Sequence, residues 1–226
     1  MSMKKIEIIK GDIIDFVARD IVRDGDINKK AIIFPNIRAG YYLRKKILDL
    51  VGKTSLLPSI YSIDDFLKER VFLRIDFQFI DTSDMIFILY KTFRERFEAL
   101  FSRKLSTDEF FDYAKILISD FEELKINGIN KDDIKIYDFL IKDKILKDDD
   151  KDYLLKYNAF SELYEEFYRF LLNEKRFSRS MIYNKYLEID DDLSEFDCVI
   201  FAGFFALTEI EKRIFQKIYK NEKAFF

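Results

Sequence analysis

The sequence has no histidine and a single cysteine, Cys198. The absence of histidine excludes Ser-His-Asp and Cys-His nucleophile systems and the common histidine-containing zinc sites. One cysteine can form neither a disulfide within the chain nor a thiolate zinc site, which favours a reducing compartment. Because Cys198 lies in an apolar run, we expect it to be a small buried side chain.

Proline and glycine are scarce, with two and six residues among 226, which favours long helices over an all-β sandwich. Hydrophobic residues make up 49% of the chain and the net charge is only -3, so a folded core is expected rather than disorder. The N-terminus is too charged for a signal peptide, and the longest uncharged stretch, residues 198–208, is too short to span a bilayer. These features predict a cytoplasmic protein without membrane contact.

The first third of the chain alternates between strand and helix patterns. Strands are predicted at Lys5–Ile9, at the continuous apolar run Ala31–Phe34 and near residues 57–61. Helices are predicted over Asp12–Val22 and Arg38–Val51, the second ending at Gly52. Ser62, with Asp65 three residues later, is expected to cap a third helix. This order predicts an α/β domain with a parallel sheet.

Residues 81–187 show only helical patterns, and strand patterns then return. The first predicted helix runs from Thr82 or Ser83 to about Arg103, and the second from a capping box at Ser106 and Glu109 to about Asn127. The others are Asp132–Lys144, Asp152–Lys175 and Ser180–Leu187. A strand at Asp197–Phe201, a helix from Thr208 to Tyr219 and a strand at Ala224–Phe226 follow. We therefore expect an α/β domain (residues 1–80 and 188–226) interrupted by an all-helical insertion (residues 81–187). Because the chain stops within an apolar strand, we expect it to be the N-terminal piece of a longer protein.

A phosphate loop would be expected directly after the first strand, at Lys10, Gly11 and Asp12. This loop has one glycine, no following Lys-Ser/Thr pair and an aspartate that would repel a phosphate. Gly52-Lys53-Thr54 resembles the end of such a motif, but it follows a helix, which favours a helix-ending glycine. Lys10 and Gly11 are therefore interpreted as a degenerate phosphate loop, and residual anion binding at the helix N-terminus stays an open alternative.

The predicted strand Asp197–Phe201 ends without the acidic residue that holds Mg²⁺ in working ATPases. Ala202-Gly203-Phe204-Phe205 follows it, and the later acids Glu209 and Glu211 suit the first turn of a helix. The runs Asp148–Asp150 and Asp190–Asp192 lack the spacing of a calcium loop and are interpreted as solvated loops. We expect no catalytic residue, metal or cofactor in this chain.

Basic residues concentrate in Asn28–Thr54, which has seven of them against one acid, Asp49. Such a segment suits a polyanion, and Asn36 and Arg38 follow a predicted parallel strand, where ligands of open α/β sheets bind. With Arg44 and Lys45, they are the candidate nucleic-acid contacts. The alternative is an ordinary solvated helix face.

Residues 33–45 resemble the Phe-Pro-Asn-Arg-Arg-Ala-Gly segment near the start of AddB-like proteins of the PD-(D/E)XK nuclease family. Residues 57–66 look like the family's Leu-Pro-x-Ile-Tyr-Ser-Ile-x-Asp-Phe stretch, and residues 162–172 are similar to its long helix. Residues 199–215 look like its Val-Gly-Phe-Asn-Ala-Leu-Thr-x-x-Glu segment. The chain departs from the family at Ile37, where arginine is common, and at Phe205, where asparagine is common.

The resemblance implies an inactivated RecA-like helicase domain, split by a helical subdomain, within an exonuclease or helicase-nuclease subunit. It also implies two partners: DNA, as a single strand or a duplex end, and an active helicase-nuclease subunit in double-strand-break repair. The leading hypothesis is a non-catalytic domain that positions DNA or scaffolds that partner. A protein-interaction module without DNA affinity and a surviving nucleotide-binding enzyme remain alternatives.

Overall fold

A computed structural model describes residues 11–23, 27–52, 57–134 and 148–226, without the side chains of 148–157. The chain divides into two compact units. The α/β unit comprises Met1–Arg74 and Lys185–Phe226, and the helical unit comprises Ile75–Asn184. The strand predicted at Lys5–Ile9, the phosphate-loop residue Lys10 and most of the helix predicted at Asp132–Lys144 lie outside the described residues.

The described elements alternate between strand and helix at both ends of the chain. In chain order they are α1 (Ile13–Arg23), β1 (Lys30–Phe34), α2 (Ile37–Val51), β2 (Ser59–Ser62), α3 (Ile63–Phe72), β3 (Gln78–Phe79), α4 (Thr82–Thr92), α5 (Arg94–Ala99), α6 (Thr107–Ile126), α7 (Asp148–Asn173), β4 (Arg176–Phe177), α8 (Arg179–Glu188), β5 (Cys198–Phe201), α9 (Glu209–Tyr219) and β6 (Ala224–Phe225).

The α/β unit is built on a parallel sheet with the strand order β2-β1-β5-β6. In the centre of this sheet, Ile32 of β1 pairs with Ile60 of β2 and with Ile200 of β5. All five residues of β1 are buried, as a strand covered on both faces should be. The prediction of an α/β fold with a parallel sheet is confirmed.

Helices cover both faces of this sheet because its side chains alternate in direction along each strand. Ile32 and Phe34 pack with α1 and α2 on one face, and Cys198 is buried in the same cluster, as predicted. On the other face Phe201 contacts Phe66 of α3 and Phe215 of α9, with ring centroids 5.8 and 5.1 Å apart. The helices that follow β1 and β5 thus lie on opposite faces.

Two helices of the α/β unit begin, and one ends, at the residues that the sequence predicts. Ser62 accepts a hydrogen bond from the Asp65 backbone N–H and caps α3. Thr208 forms a capping box with Glu211 at the start of α9. Gly52 ends α2 in the left-handed conformation, with φ of 64°, so the interpretation of this glycine as a helix end is confirmed.

Two predictions for the helical unit are wrong. The segment is not purely helical, because Gln78 pairs with Arg176 and Phe79 with Phe177 in a short two-stranded parallel sheet. The helix predicted over Thr82–Arg103 is instead α4 and α5, separated at Phe93. The break has a packing reason, since Phe93 is buried against Phe167 and Phe170 of α7.

Glu122 of α6 joins three segments of the helical unit. Its carboxylate accepts hydrogen bonds from Tyr168 Oη at 2.8 Å and from the Ser178 and Ser180 hydroxyls at 2.6 Å each. The Ser180 backbone N–H donates to it at 3.1 Å. Burial, with the charge of Glu122 nearby, raises the pKa of Tyr168, which keeps the phenol protonated as a donor.

Among the described residues, no helix combines the length and apolar character needed to cross a bilayer.

Candidate nucleic-acid interface

The carboxyl ends of β1 and β5 lie at the switch point of the sheet, where the strand order changes direction. The two strands are neighbours, and the chain leaves them toward opposite faces and opposite edges of the sheet. Open α/β sheets bind ligands at such switch points. The two loops meet there: Gly203 has φ of 78°, and a Cβ on it would lie 3.9 Å from both Phe34 Cδ1 and Pro35 Cδ.

Asn36 and Arg38 lie beside this switch point, as the sequence predicts for residues that follow β1. Asn36 is the N-cap of α2, and its Oδ1 accepts a hydrogen bond from the Arg38 backbone N–H at 3.1 Å. The side-chain oxygen of Asn36 therefore has a structural task at the helix start. The contact of Asn36 with nucleic acid stays a prediction.

Tertiary contacts occupy several of the seven basic residues of Asn28–Thr54. Lys29 pairs with Asp197 at 3.8 Å, and Lys46 pairs with Asp15 at 2.6 Å. Hydrogen bonds from Lys46 and Arg19 lower the pKa of Asp15, in keeping with a firm ion pair. Lys30 is buried, and Lys53 lies outside the described residues.

Three cations of this segment have no ion pair with a carboxylate within the described ranges: Arg38, Arg44 and Lys45. Arg38 and Lys45 are exposed and lie seven residues apart, on the side of α2 away from the buried Leu43 and Ile47. Arg44 is half-buried and lies off that line. The structure thus brings Arg38 and Lys45 together on one face and separates Arg44 from them.

Two tyrosines that the sequence interpretation overlooked complete this face. Tyr41 and Tyr42 lie between Arg38 and Lys45 at helical spacing, with 61 and 69% of their surfaces exposed. We call Arg38, Tyr41, Tyr42 and Lys45 the α2 stripe. The spacing i, i+3, i+4, i+7 could have revealed it, because it mixes aromatic and basic residues on the side opposite the apolar positions.

The N-terminus of α1 holds the described part of the degenerate phosphate loop. Gly11 is exposed, and Asp12 Oδ1 accepts hydrogen bonds from the backbone N–H groups of Ile14 at 2.9 Å and Asp15 at 3.3 Å. Those two groups are the donors that a helix offers to an anion. The carboxylate of Asp12 takes the place that a phosphate would need.

The end of β5 leads into the loop Ala202–Leu207 rather than to a carboxylate. Phe205 in that loop is 96% exposed, and Glu209 and Glu211 lie in the first turn of α9, as predicted. Three potential metal ligands do not cluster anywhere in the part of the chain that the structure describes.

The acidic run Asp190–Asp192 has structural partners. Asp191 is buried and pairs with Arg70, and it also accepts a hydrogen bond from Tyr186 Oη at 3.1 Å. Asp192 accepts one from the Ser194 backbone N–H at 3.0 Å. The interpretation of this run as a solvated loop is wrong for Asp191, whose partner Arg70 lies 121 residues away in sequence. The side chains of Asp148–Asp150 lie outside the description.

Comparison with protein-family models and with curated proteins finds no match to this chain.

The α2 stripe combines two groups that bind single strands. Cationic side chains contact phosphates, and exposed aromatic rings stack on bases without requiring a particular sequence. The stripe begins in the first turn of α2, beside the switch point of the sheet.

Proposed function

We propose that this chain is a non-catalytic nucleic-acid-positioning domain that holds a DNA strand along the α2 stripe. The observation that carries the proposal is the exposed alternation of Arg38, Tyr41, Tyr42 and Lys45 beside the switch point of a parallel sheet. The two cations are free for phosphates, since no carboxylate among the described residues pairs with them.

The same geometry supports a role without nucleotide hydrolysis. Asp12 occupies the backbone donors at the start of α1, and Ala202 and Gly203 follow β5 where a metal-binding acid would be needed. We therefore propose a degenerate RecA-like core that keeps the shape of a nucleotide-binding domain and uses it to position DNA.

The resemblance to AddB-like proteins extends the proposal to a biological setting. The resembling segments include the start of α2 and the end of β5, the two places that meet at the switch point. In this setting the chain would be part of an exonuclease or helicase-nuclease subunit for double-strand-break repair. It would guide a single strand or duplex end toward an active helicase-nuclease partner.

DNA binding at several salt concentrations tests the proposal. Single-stranded and forked oligonucleotides should bind the full chain, with an affinity that falls as salt rises. Arg38→Ala combined with Lys45→Ala should make the plot of log affinity against log salt less steep, by the amount expected for the loss of about two phosphate contacts. Lys104→Ala combined with Lys115→Ala, two exposed cations of the helical unit, serves as the control. Absent DNA binding, or an equal loss in the control, would refute the proposal.

A specific observation favours one alternative, a protein-interaction module. The apolar ring of Phe205 is almost fully exposed and is not part of the α2 stripe, so it is available for contact with another protein. Binding of a helicase-nuclease subunit by a chain that shows no DNA affinity would favour this alternative. Calorimetric detection of ATP binding would instead revive the nucleotide-binding enzyme.

A further inference from the structure

The α/β unit contains an apolar groove beside α9 that the proposed DNA contact does not use. The groove has a volume of about 1150 Å³ and lies between the loop after β5 and one side of α9. Phe201, Phe215 and Phe226 are among its lining, and Phe204 and Phe205 stand at the loop side.

The charged residues along the groove all have the same sign. Those that line it in the described structure are Lys212, Arg213, Lys217 and Lys220, while the whole chain has a net charge of -3. Lys212 pairs with Glu209 at 3.3 Å, and the ammonium of Lys217 donates to backbone carbonyls. Arg213 and Lys220 are exposed, and no carboxylate of the described residues pairs with either. The groove is therefore complementary to an occupant that is apolar on one side and acidic on the other.

The aromatic floor favours apolar side chains over stacked bases. Phe201 and Phe226 stack on each other with centroids 5.1 Å apart, and Phe204 meets Phe215 edge-on at 4.9 Å. Phe201 and Phe215 are only 3 and 9% exposed. Because these rings cover one another, they offer carbon edges rather than the open faces on which nucleic-acid bases stack.

The size of the groove also fits a protein segment. Two turns of an α-helix with its side chains fill about 800 Å³, from a diameter near 10 Å and a rise of about 1.5 Å per residue. Helices bind such grooves through apolar residues at i, i+3, i+4 and i+7. Phe205, 96% exposed at the mouth, is placed to pack against such a helix as it binds.

We propose that this groove binds an acidic amphipathic helix of a partner protein. The apolar face of that helix lies on Phe204 and Phe205, above the nearly buried rings of Phe201 and Phe215, and its acidic flank pairs with Arg213 and Lys220. The inference is independent of DNA binding, which the α2 stripe carries.

A pair of synthetic peptides tests the inference by fluorescence anisotropy with the full chain. Both are about 18 residues long and share one apolar stripe, but the first has glutamate at the flanking positions and the second has lysine. The glutamate peptide should bind at least about tenfold more tightly than the lysine peptide. Two variants should each weaken binding of the glutamate peptide by about tenfold or more. The first is Phe205→Ala, and the second combines Arg213→Glu with Lys220→Glu.

The chain supplies a matched control for these variants. Arg38→Glu with Lys45→Glu reverses an arginine and a lysine with the same spacing on α2, and it should leave peptide binding unchanged. Far-ultraviolet circular dichroism and urea unfolding should show an intact fold in every variant, since the substituted side chains are exposed. Equal binding of the two peptides, or unchanged binding by both groove variants, would overturn the inference. The inference would also be overturned if Arg213→Glu with Lys220→Glu abolished the binding of single-stranded DNA but left the binding of the peptide intact.

Discussion

Helices α2 and α9 both leave the switch point of the sheet, yet they present different surfaces. Each has an arginine and a lysine, seven residues apart, with which no carboxylate of the described residues pairs: Arg38 and Lys45 on α2, and Arg213 on α9 with Lys220 at its C-cap. On α2 these cations flank exposed tyrosines above a filled core, whereas on α9 they flank a hollow with an aromatic floor. The same charge pattern therefore suits a strand with stackable bases in one place and an amphipathic helix in the other.

Charge reversal on α2 should give the largest effect. Arg38→Glu with Lys45→Glu replaces two attractions to phosphate by two repulsions, so binding of single-stranded DNA at low salt should fall by about 100-fold or more. The equivalent charge reversal at Arg213 and Lys220 should change DNA binding by less than about threefold once salt screens the long-range attraction. Oligonucleotide titrations at low and moderate salt measure both. Equal losses would remove the distinction between the two helices.

Removal of the tyrosine rings separates stacking from charge. Tyr41→Ala and Tyr42→Ala should each weaken the binding of single-stranded DNA by about tenfold, because stacking of one base contributes roughly 1–3 kcal/mol. The salt slope should stay at the value of the unmodified chain, since no phosphate contact is lost. Phenylalanine at either position should restore binding. A changed salt slope in the alanine variants would show that the tyrosines act by placing the cations.

The packing beneath the two helices should be sensitive to different substitutions. A Cβ on Gly40 of α2 would lie 2.6 Å from the Ile60 Cγ2 methyl, which is held stiffly in a β-branched side chain. Gly40→Ala should therefore lower the free energy of unfolding by about 1–2 kcal/mol and weaken DNA binding as α2 shifts. Ala39→Ser, at the neighbouring half-buried position, is the control in urea unfolding. A Gly40→Ala variant as stable as the unmodified chain would show that the contact relaxes without cost.

On the α9 side, Lys217 donates to the carbonyls of Tyr186 at 2.8 Å and Leu187 at 3.0 Å, at the end of α8. Burial lowers the pKa of Lys217, so its charge is held against a desolvation cost. Lys217→Met should leave these carbonyls without that donor and lower the free energy of unfolding by about 1–2 kcal/mol. In contrast to Gly40→Ala, Lys217→Met should leave DNA binding unchanged. If both variants lost the same DNA affinity, α2 and α9 would have to move together.

The N-caps should give the smallest effects. Asn36→Ala and Thr208→Ala should each cost about 1 kcal/mol of unfolding free energy, because each removes a side-chain acceptor for the first turn. Asn36→Ser keeps a capping oxygen and should retain that stability. If Asn36 also contacts nucleic acid, Asn36→Ser weakens DNA binding without loss of stability, and if capping is its only role the affinity stays unchanged.

Local patterns predicted most elements of the α/β unit, because hydrophobic periodicity and capping residues act over a few positions. The run Ala31–Phe34, the helix end at Gly52, the cap at Ser62 and the helix start at Thr208 were all predicted from neighbouring residues. The break at Phe93 and the pairing of β3 with β4 were not, since both depend on residues about 75 to 100 positions away in sequence. The buried pairing of Arg70 with Asp191 was missed for the same reason.

The sequence by itself determined the alternation of strands and helices, the parallel sheet and the concentration of basic residues around α2. These follow from local spacing, because a residue's periodic place within a strand or helix sets which side of it faces the core. Only the tertiary structure decided which cations of α2 pair with a carboxylate: Lys46 pairs with Asp15 of another helix, while no carboxylate in the described part of the chain pairs with Arg38 or Lys45. It alone also formed the groove beside α9, because Phe201, Phe215 and Phe226 come together only when the sheet assembles.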